Sequence, residues 1–102
     1  MAYTTINKHT DYFNTKLYTG NGSTTQSITG VGFKPDFLWI KDRGDVSDHQ
    51  LSDIVRGKSG SLYYQIQTNG TGSQVVQSDN DGVHSLDSDG FTVGYTNSTA
   101  WN

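Results

Sequence analysis

The chain of 102 residues contains no cysteine, a single proline, a single methionine and no glutamate, so that every acidic residue is Asp. Without cysteine there is no disulfide framework, no thiolate metal site and no thiol nucleophile, which is compatible with folding in a reducing cytoplasm. No run of about 18 apolar residues occurs, and the opening MAYTTINKHT has neither a charged leader nor an apolar stretch, so neither a membrane span nor a signal peptide is expected. No Lys or Arg follows Lys58, whereas Asp79, Asp81, Asp87 and Asp89 do. With a formal net charge of -3, this is the opposite of the basic stripe that marks nucleic-acid binding, and DNA and RNA are not expected partners. The lack of Glu also argues against helices, because Asp favours turns and caps while Glu favours helix interiors.

What is present is turn-forming and β-forming material. Gly, Ser, Thr and Asn supply 43 of the 102 residues, hydrophobic residues only 31%, yet aromatics reach 12%. Low hydrophobicity with small net charge and many aromatics describes a folded chain of short strands rather than a disordered one, and the length allows one domain.

Residues 1–15 read as an extended polar arm that needs a partner to order it, and residues 16–102 as a single β-domain. Lys16-Leu17-Tyr18-Thr19 has strand composition and is cut off by the turn formers Gly20-Asn21-Gly22-Ser23; Thr24 to Thr29 forms a second strand before Gly30 and Gly32. Pro35 fixes φ and pushes Lys34 out of the α region, so a strand begins directly after it. Phe37-Leu38-Trp39-Ile40 is the only continuous apolar run and is predicted to be a core strand buried on both faces. Between Val46 and Val55 the pattern fits strand and helix equally, with strand favoured because Gly57 and Gly60 end the segment quickly. Leu62 to Gln67 alternates with Leu62, Tyr64 and Ile66 on one face and ends at the turn Asn69-Gly70. Gln74 to Gln77 and Val83 to Leu86 suit edge strands, and Gly90 to Tyr95 alternates with Phe91, Val93 and Tyr95 inward. Turn signals every 8–12 residues between short runs predict an all-β antiparallel sandwich.

Chemistry-bearing groupings are sparse. His49, Ser52 and Asp53 lie close in sequence, but on a strand Ser52 faces away from the other two and no G-x-S-x-G elbow is present, so no catalytic residue is assigned. The acidic turns Asp79-Asn80-Asp81-Gly82 and Asp87-Ser88-Asp89-Gly90 lack the spacing and terminal Glu of a calcium loop, and His9, His49 and His84 are too dispersed for zinc. Neither a metal nor a cofactor is expected. Gly20-Asn21-Gly22 and Gly30-Val31-Gly32 lack the Lys-Ser/Thr ending of a phosphate loop and read as turns. Aromatic rings that stack on sugars or anchor interfaces are a better lead. Tyr63 falls on the face opposite Tyr64, and Trp101 sits at the very end, where intrachain burial is hard. With the acids Asp79 and Asp81, these are the candidate glycan or interface contacts.

Four blocks occur in order: Leu17-Tyr18-Thr19-Gly20-Asn21-Gly22, then Ser27 to Lys41 (SITGVGFKPDFLWIK), then Asp53-Ile54-Val55-Arg56-Gly57, then Ser85 to Gly94 (SLDSDGFTVG). Together they resemble a module of tailed-phage structural proteins over roughly residues 12–95. The resemblance implies a concanavalin A-like, jelly-roll type β-sandwich on virion fibres or on the particle surface, without known catalysis. It also implies a virion localisation after assembly in the host cytoplasm, contacts with other virion proteins and with copies of itself, and, by analogy with fibres, a homotrimer. Host surface glycans are the alternative partner. The family pattern continues into a Y-x-A-W-x-W strand where this sequence stops at Thr99-Ala100-Trp101-Asn102. Trp101 reads as a remnant of that strand, so either the chain is a fragment or a neighbouring copy lends the missing strand.

Overall fold

The structure, a computed structural model, describes residues 5, 7–77, 80–96 and 101–102. Among the described residues eight strands follow in chain order: β1 (Gln26–Ile28), β2 (Phe37–Ile40), β3 (Gln50–Asp53), β4 (Lys58–Ser59), β5 (Leu62–Tyr63), β6 (Ile66–Gln67), β7 (Gly82–Asp87) and β8 (Gly90–Gly94). Among the described residues the only helical element is one 3-10 turn at His9–Asp11, set in the segment expected to be wholly extended.

The strands form three antiparallel sheets, ordered β1-β8-β7, β2-β3-β6 and β4-β5. The fold is all-β, and two three-stranded sheets share one core in the manner of a sandwich. Ile28, Val83, Leu86, Phe91 and Val93 of the first sheet meet Leu38 and Ile40 of the second, with Val31 and Trp101 completing the cluster. β8 is central in its sheet because Phe91 and Val93 alternate inward as its sequence suggests, although Tyr95 lies beyond its end and is half-buried. β7 is an edge, as expected, and the ladder shifts register between Val83 and Ser85.

Several expectations are corrected. Lys16 to Thr19 joins no sheet. Its Tyr18 works as a single anchor, edge-on to Phe91 at a centroid distance of 5.9 Å, with its hydroxyl donating to the Trp101 carbonyl at 2.6 Å. β2 is a strand buried on one face only: Leu38 and Ile40 turn inward, while Phe37 and Trp39 are 55% and 62% exposed. No described helix or further sheet covers that side, and a chain with so little apolar material has none to spare. β3 confirms the strand reading of its segment, but its inward residues are Gln50 and Ser52. Leu62 to Gln67 is not one strand. It breaks at Tyr64 into β5 and β6, which belong to different sheets, so Leu62 and Gln65 are the buried positions while Tyr64 and Ile66 are half-buried. Gln74 to Gln77 contributes one isolated bridge, Val75 to Gln65.

Trp101 is only 2% exposed, against the expectation that a terminal ring escapes burial. The reason is a polar clamp on the Gly20-Asn21-Gly22-Ser23 turn: the Asn21 N–H donates to Asn102 Oδ1 (2.8 Å), and Asn102 Nδ2 donates to Asn21 Oδ1 (3.1 Å) and to the Ser23 carbonyl (2.9 Å). These bonds, with that of Tyr18, seat the indole in the core.

Candidate functional site

The family-like blocks prove to be fold devices when their bonds are traced. Gly30 and Gly32 take φ of 84° and 94°, which glycine alone adopts readily, and their N–H groups both point at the Asp89 carboxylate, at 3.0 and 2.7 Å. The bond from Gly32 and then that from Gly30 hold the Asp89 carboxyl below the usual carboxylate range. The SITGVGF and SLDSDGF blocks are therefore two halves of one joint. The DIVRG block is a turn closed on itself: Asp53 accepts from the Arg56 backbone N–H (2.7 Å) and Arg56 Nε (3.0 Å), while Arg56 NH1 donates to Gln74 Oε1 (3.2 Å).

The same bonds show that His49, Ser52 and Asp53 are not brought together. Ser52 points into the core, 1% exposed, and its hydroxyl has no hydrogen-bond partner among the described residues. Asp53 is engaged by Arg56. Among the described residues no group of three potential metal-ligating acids or histidines converges.

Of the candidate contact residues, Tyr63 is half-buried with the Lys58 ammonium 5.3 Å from its ring centre. Asp81 is buried, and one carboxylate oxygen accepts from the Thr96 N–H at 2.7 Å. Trp101 is a core residue, not an exposed ring. Asp79 lies outside the described residues. Tyr63, Asp81 and Trp101 do not form a shared surface site.

The exposed chemistry lies on the outer face of β2-β3-β6, where Phe37 and Trp39 of β2, expected to be buried, stand open to solvent. At one end Phe37, Ile54 and Val55, the last 92% exposed, border an open hollow of about 570 Å³ together with Asp36, Asp53 and Arg56. At the other end stands Trp39. Its Nε1–H donates to Thr68 Oγ1 (3.1 Å), and the His49 ring lies tilted against it at 6.1 Å. β2 is also a free edge. The Ile54 N–H donates to the Asp36 carbonyl (2.9 Å), so the backbone groups of Leu38 and Ile40 face β3 and those of Phe37 and Trp39 face away from it. No described strand pairs with that side. Beyond Ile40 the edge borders a second hollow of about 430 Å³, walled by Lys16 to Gly20 across from Lys41 to Gly44, with Trp101 and Asn102 at its margin.

An apolar run of four residues cannot by itself distinguish a doubly buried strand from one with an uncovered face. The signal that could have found the uncovered face is the scarcity of apolar residues elsewhere, which leaves nothing to cover Phe37 and Trp39.

No curated protein and no solved structure matches this chain. A family model described as a domain of unknown function (DUF7483) matches residues 8–102, nearly the whole length, and the chain belongs to that family.

Proposed function

We propose that this chain is a non-enzymatic structural module of a phage virion, displayed on the particle surface in a fibre or as a capsid decoration, and acting through protein–protein contacts. The observation that carries the reading is the uncovered face of β2-β3-β6. Monomeric proteins seldom leave two aromatics and a neighbouring Val55 on one open sheet face, and such surfaces mark interaction sites. The free edge of β2 adds unpaired backbone donors and acceptors beside those rings, the arrangement by which sheets extend into a neighbouring chain. The four sequence blocks that resemble tailed-phage structural modules supply the setting, with other virion proteins and further copies of this chain as the partners.

Cross-linking of purified virions with a lysine-reactive reagent tests the reading. Cross-links are expected from Lys34 or Lys41, which flank β2, to another virion protein or to a second copy. Virions that contain the chain but yield no such links overturn the contact surface, and virions that lack the chain overturn the setting.

A second reading, recognition of host surface glycans, is favoured by one specific observation: the exposed, hydrogen-bonded indole of Trp39.

A further inference from the structure

The Trp39 end of the outer face is built differently from the Phe37 end, and the difference points to a ligand. The indole is 62% exposed but not loose. Its N–H is held by Thr68, and the His49 ring, tilted by 39°, packs beside it. Thr68 in turn donates its backbone N–H to the His49 carbonyl at 3.1 Å, and the His49 N–H donates to Asn69 Oδ1 at 3.0 Å. Asp48 ties the surrounding loops together, accepting from Asn69 Nδ2 at 2.9 Å and Gln67 Nε2 at 2.8 Å. An apolar ring plane thus stands beside a fixed set of hydroxyl, amide, imidazole and carboxylate groups. The loop that carries Thr68 and Asn69 is the Asn69-Gly70 turn after β6, and Trp39 comes from β2, so β3 between them sets the spacing of the two halves.

We infer that this cluster is a binding site for a neutral hexopyranose residue of a glycan. A pyranose has one face of C–H groups that stacks on an indole, as amphipathic ligands do on aromatic platforms, and a rim of hydroxyls that both donate and accept. The rim of this site offers both kinds of partner: Thr68 Oγ1, the second lone pairs of Asn69 Oδ1 and the Asp48 oxygens as acceptors, and the His49 ring as donor or acceptor according to tautomer. The carboxylate of Asp48 is already engaged by two amides, and none of the hydrogen bonds and ring contacts that build the cluster involves Lys or Arg, which favours an uncharged sugar over an acidic one. Because the side chains are pinned by one another before any ligand arrives, little rotamer freedom remains to be lost on binding. The inference rests on the glycan reading and gives it a place and a ligand class. It does not depend on where the chain is displayed.

The test uses the intact chain and its two tryptophans, Trp39 exposed and Trp101 buried. The two indole N–H signals and the backbone amide signals of residues 48–49 and 67–70 are followed by proton–nitrogen NMR while methyl β-D-glucopyranoside, methyl β-D-galactopyranoside and methyl α-D-mannopyranoside are each titrated to tens of millimolar. The expected result is a saturable shift of the Trp39 signal with at least one sugar while the Trp101 signal stays still. Trp39→Ala is expected to weaken binding about tenfold, the loss of one aromatic platform, and Asn69→Ala to weaken it with Trp39 intact. The unchanged Trp101 signal certifies that both variants are folded. Sugar binding undiminished by Trp39→Ala refutes this site while leaving the glycan reading standing. No shift of any signal with any of the three sugars overturns both.

Discussion

Replacing Gly90 with alanine is a sharp test of how β1 is joined to the β7–β8 turn within one sheet, because the cost can be worked from distances. A Cβ at this position would lie 1.8 Å from the Ile28 carbonyl oxygen, 2.9 Å from its carbon and 3.2 Å from Thr29 Cα, where ordinary contact begins at 3.4 Å. The obstruction is backbone, which no rotamer change relieves. Reaching ordinary contact requires β1 and β8 to separate by about 1.6 Å, the difference between those two distances, enough to break a ladder bond of about 2.9 Å. The rung Ile28 to Phe91 and the bond from the Val31 N–H to the Asp89 carbonyl at 3.0 Å lie on either side of the clash. Two hydrogen bonds at about 1 kcal/mol each, plus about 1–3 kcal/mol for displacing Ile28 and Phe91 from a packed core, give a loss of about 3–5 kcal/mol. That is a large share of the roughly 5–15 kcal/mol that holds a domain of this size. In urea, with a slope near 2 kcal/mol/M, the midpoint followed by far-UV circular dichroism falls by about 2 M. Gly72→Ala is the control: its Cβ meets nothing within 4 Å, and a change within about 0.5 kcal/mol is expected. A Gly90→Ala midpoint within 0.3 M of the parent refutes the close approach of β1 to the β7–β8 turn.

Three further outcomes follow from the same structure. The Tyr18 phenol, desolvated by burial and near Asp42, has its pKa pushed up to about 12; a folded-state value above the unfolded one gives stability that is complete below about pH 10 and lost as the pH rises toward 12. Absorbance titration at 295 nm is expected to show a late tyrosine transition that disappears in Tyr18→Phe. The Asp89 carboxyl is shifted the other way by the Gly32 and Gly30 N–H groups, so its contribution is present above the ordinary carboxylate range and lost as the pH falls through the lowered value; Asp89→Asn is expected to flatten the acid limb of a stability-against-pH curve. Ser52→Ala removes a buried hydroxyl without a partner among the described residues and is expected to leave stability unchanged or raise it by up to about 1 kcal/mol, whereas a loss greater than that in urea unfolding means the hydroxyl is bonded.

The strands that the sequence made legible are those whose pattern needed no knowledge of their neighbours. Phe91 and Val93 alternate between two turn clusters, and β8 lies where that pattern ends. Pro35 announces the start of β2. Burial was less legible, because it depends on what lies above and below a strand. Phe37-Leu38-Trp39-Ile40 is uniformly apolar, yet only Leu38 and Ile40 find a cover. β3 turns Gln50 and Ser52 inward, contrary to any hydrophobic pattern, because pairing with β2 places them opposite Ile40 and Leu38. Trp101 is drawn inward by hydrogen bonds from residues some 80 positions away, a long-range effect no local window registers. The candidate site is hidden for the same reason: the apolar neighbours of Trp39 give it the look of a core residue, and its partners His49, Thr68 and Asn69 are joined to it only through strand pairing.

The most direct test of the proposed virion role is immunogold electron microscopy of phage particles purified from the source of this chain, using an antibody raised against it. The account expects label on the outside of intact particles, on fibres or over the head, wherever the uncovered face of β2-β3-β6 meets its neighbours. Particles that carry no label, with the antibody shown to recognise the native chain in solution, contradict it.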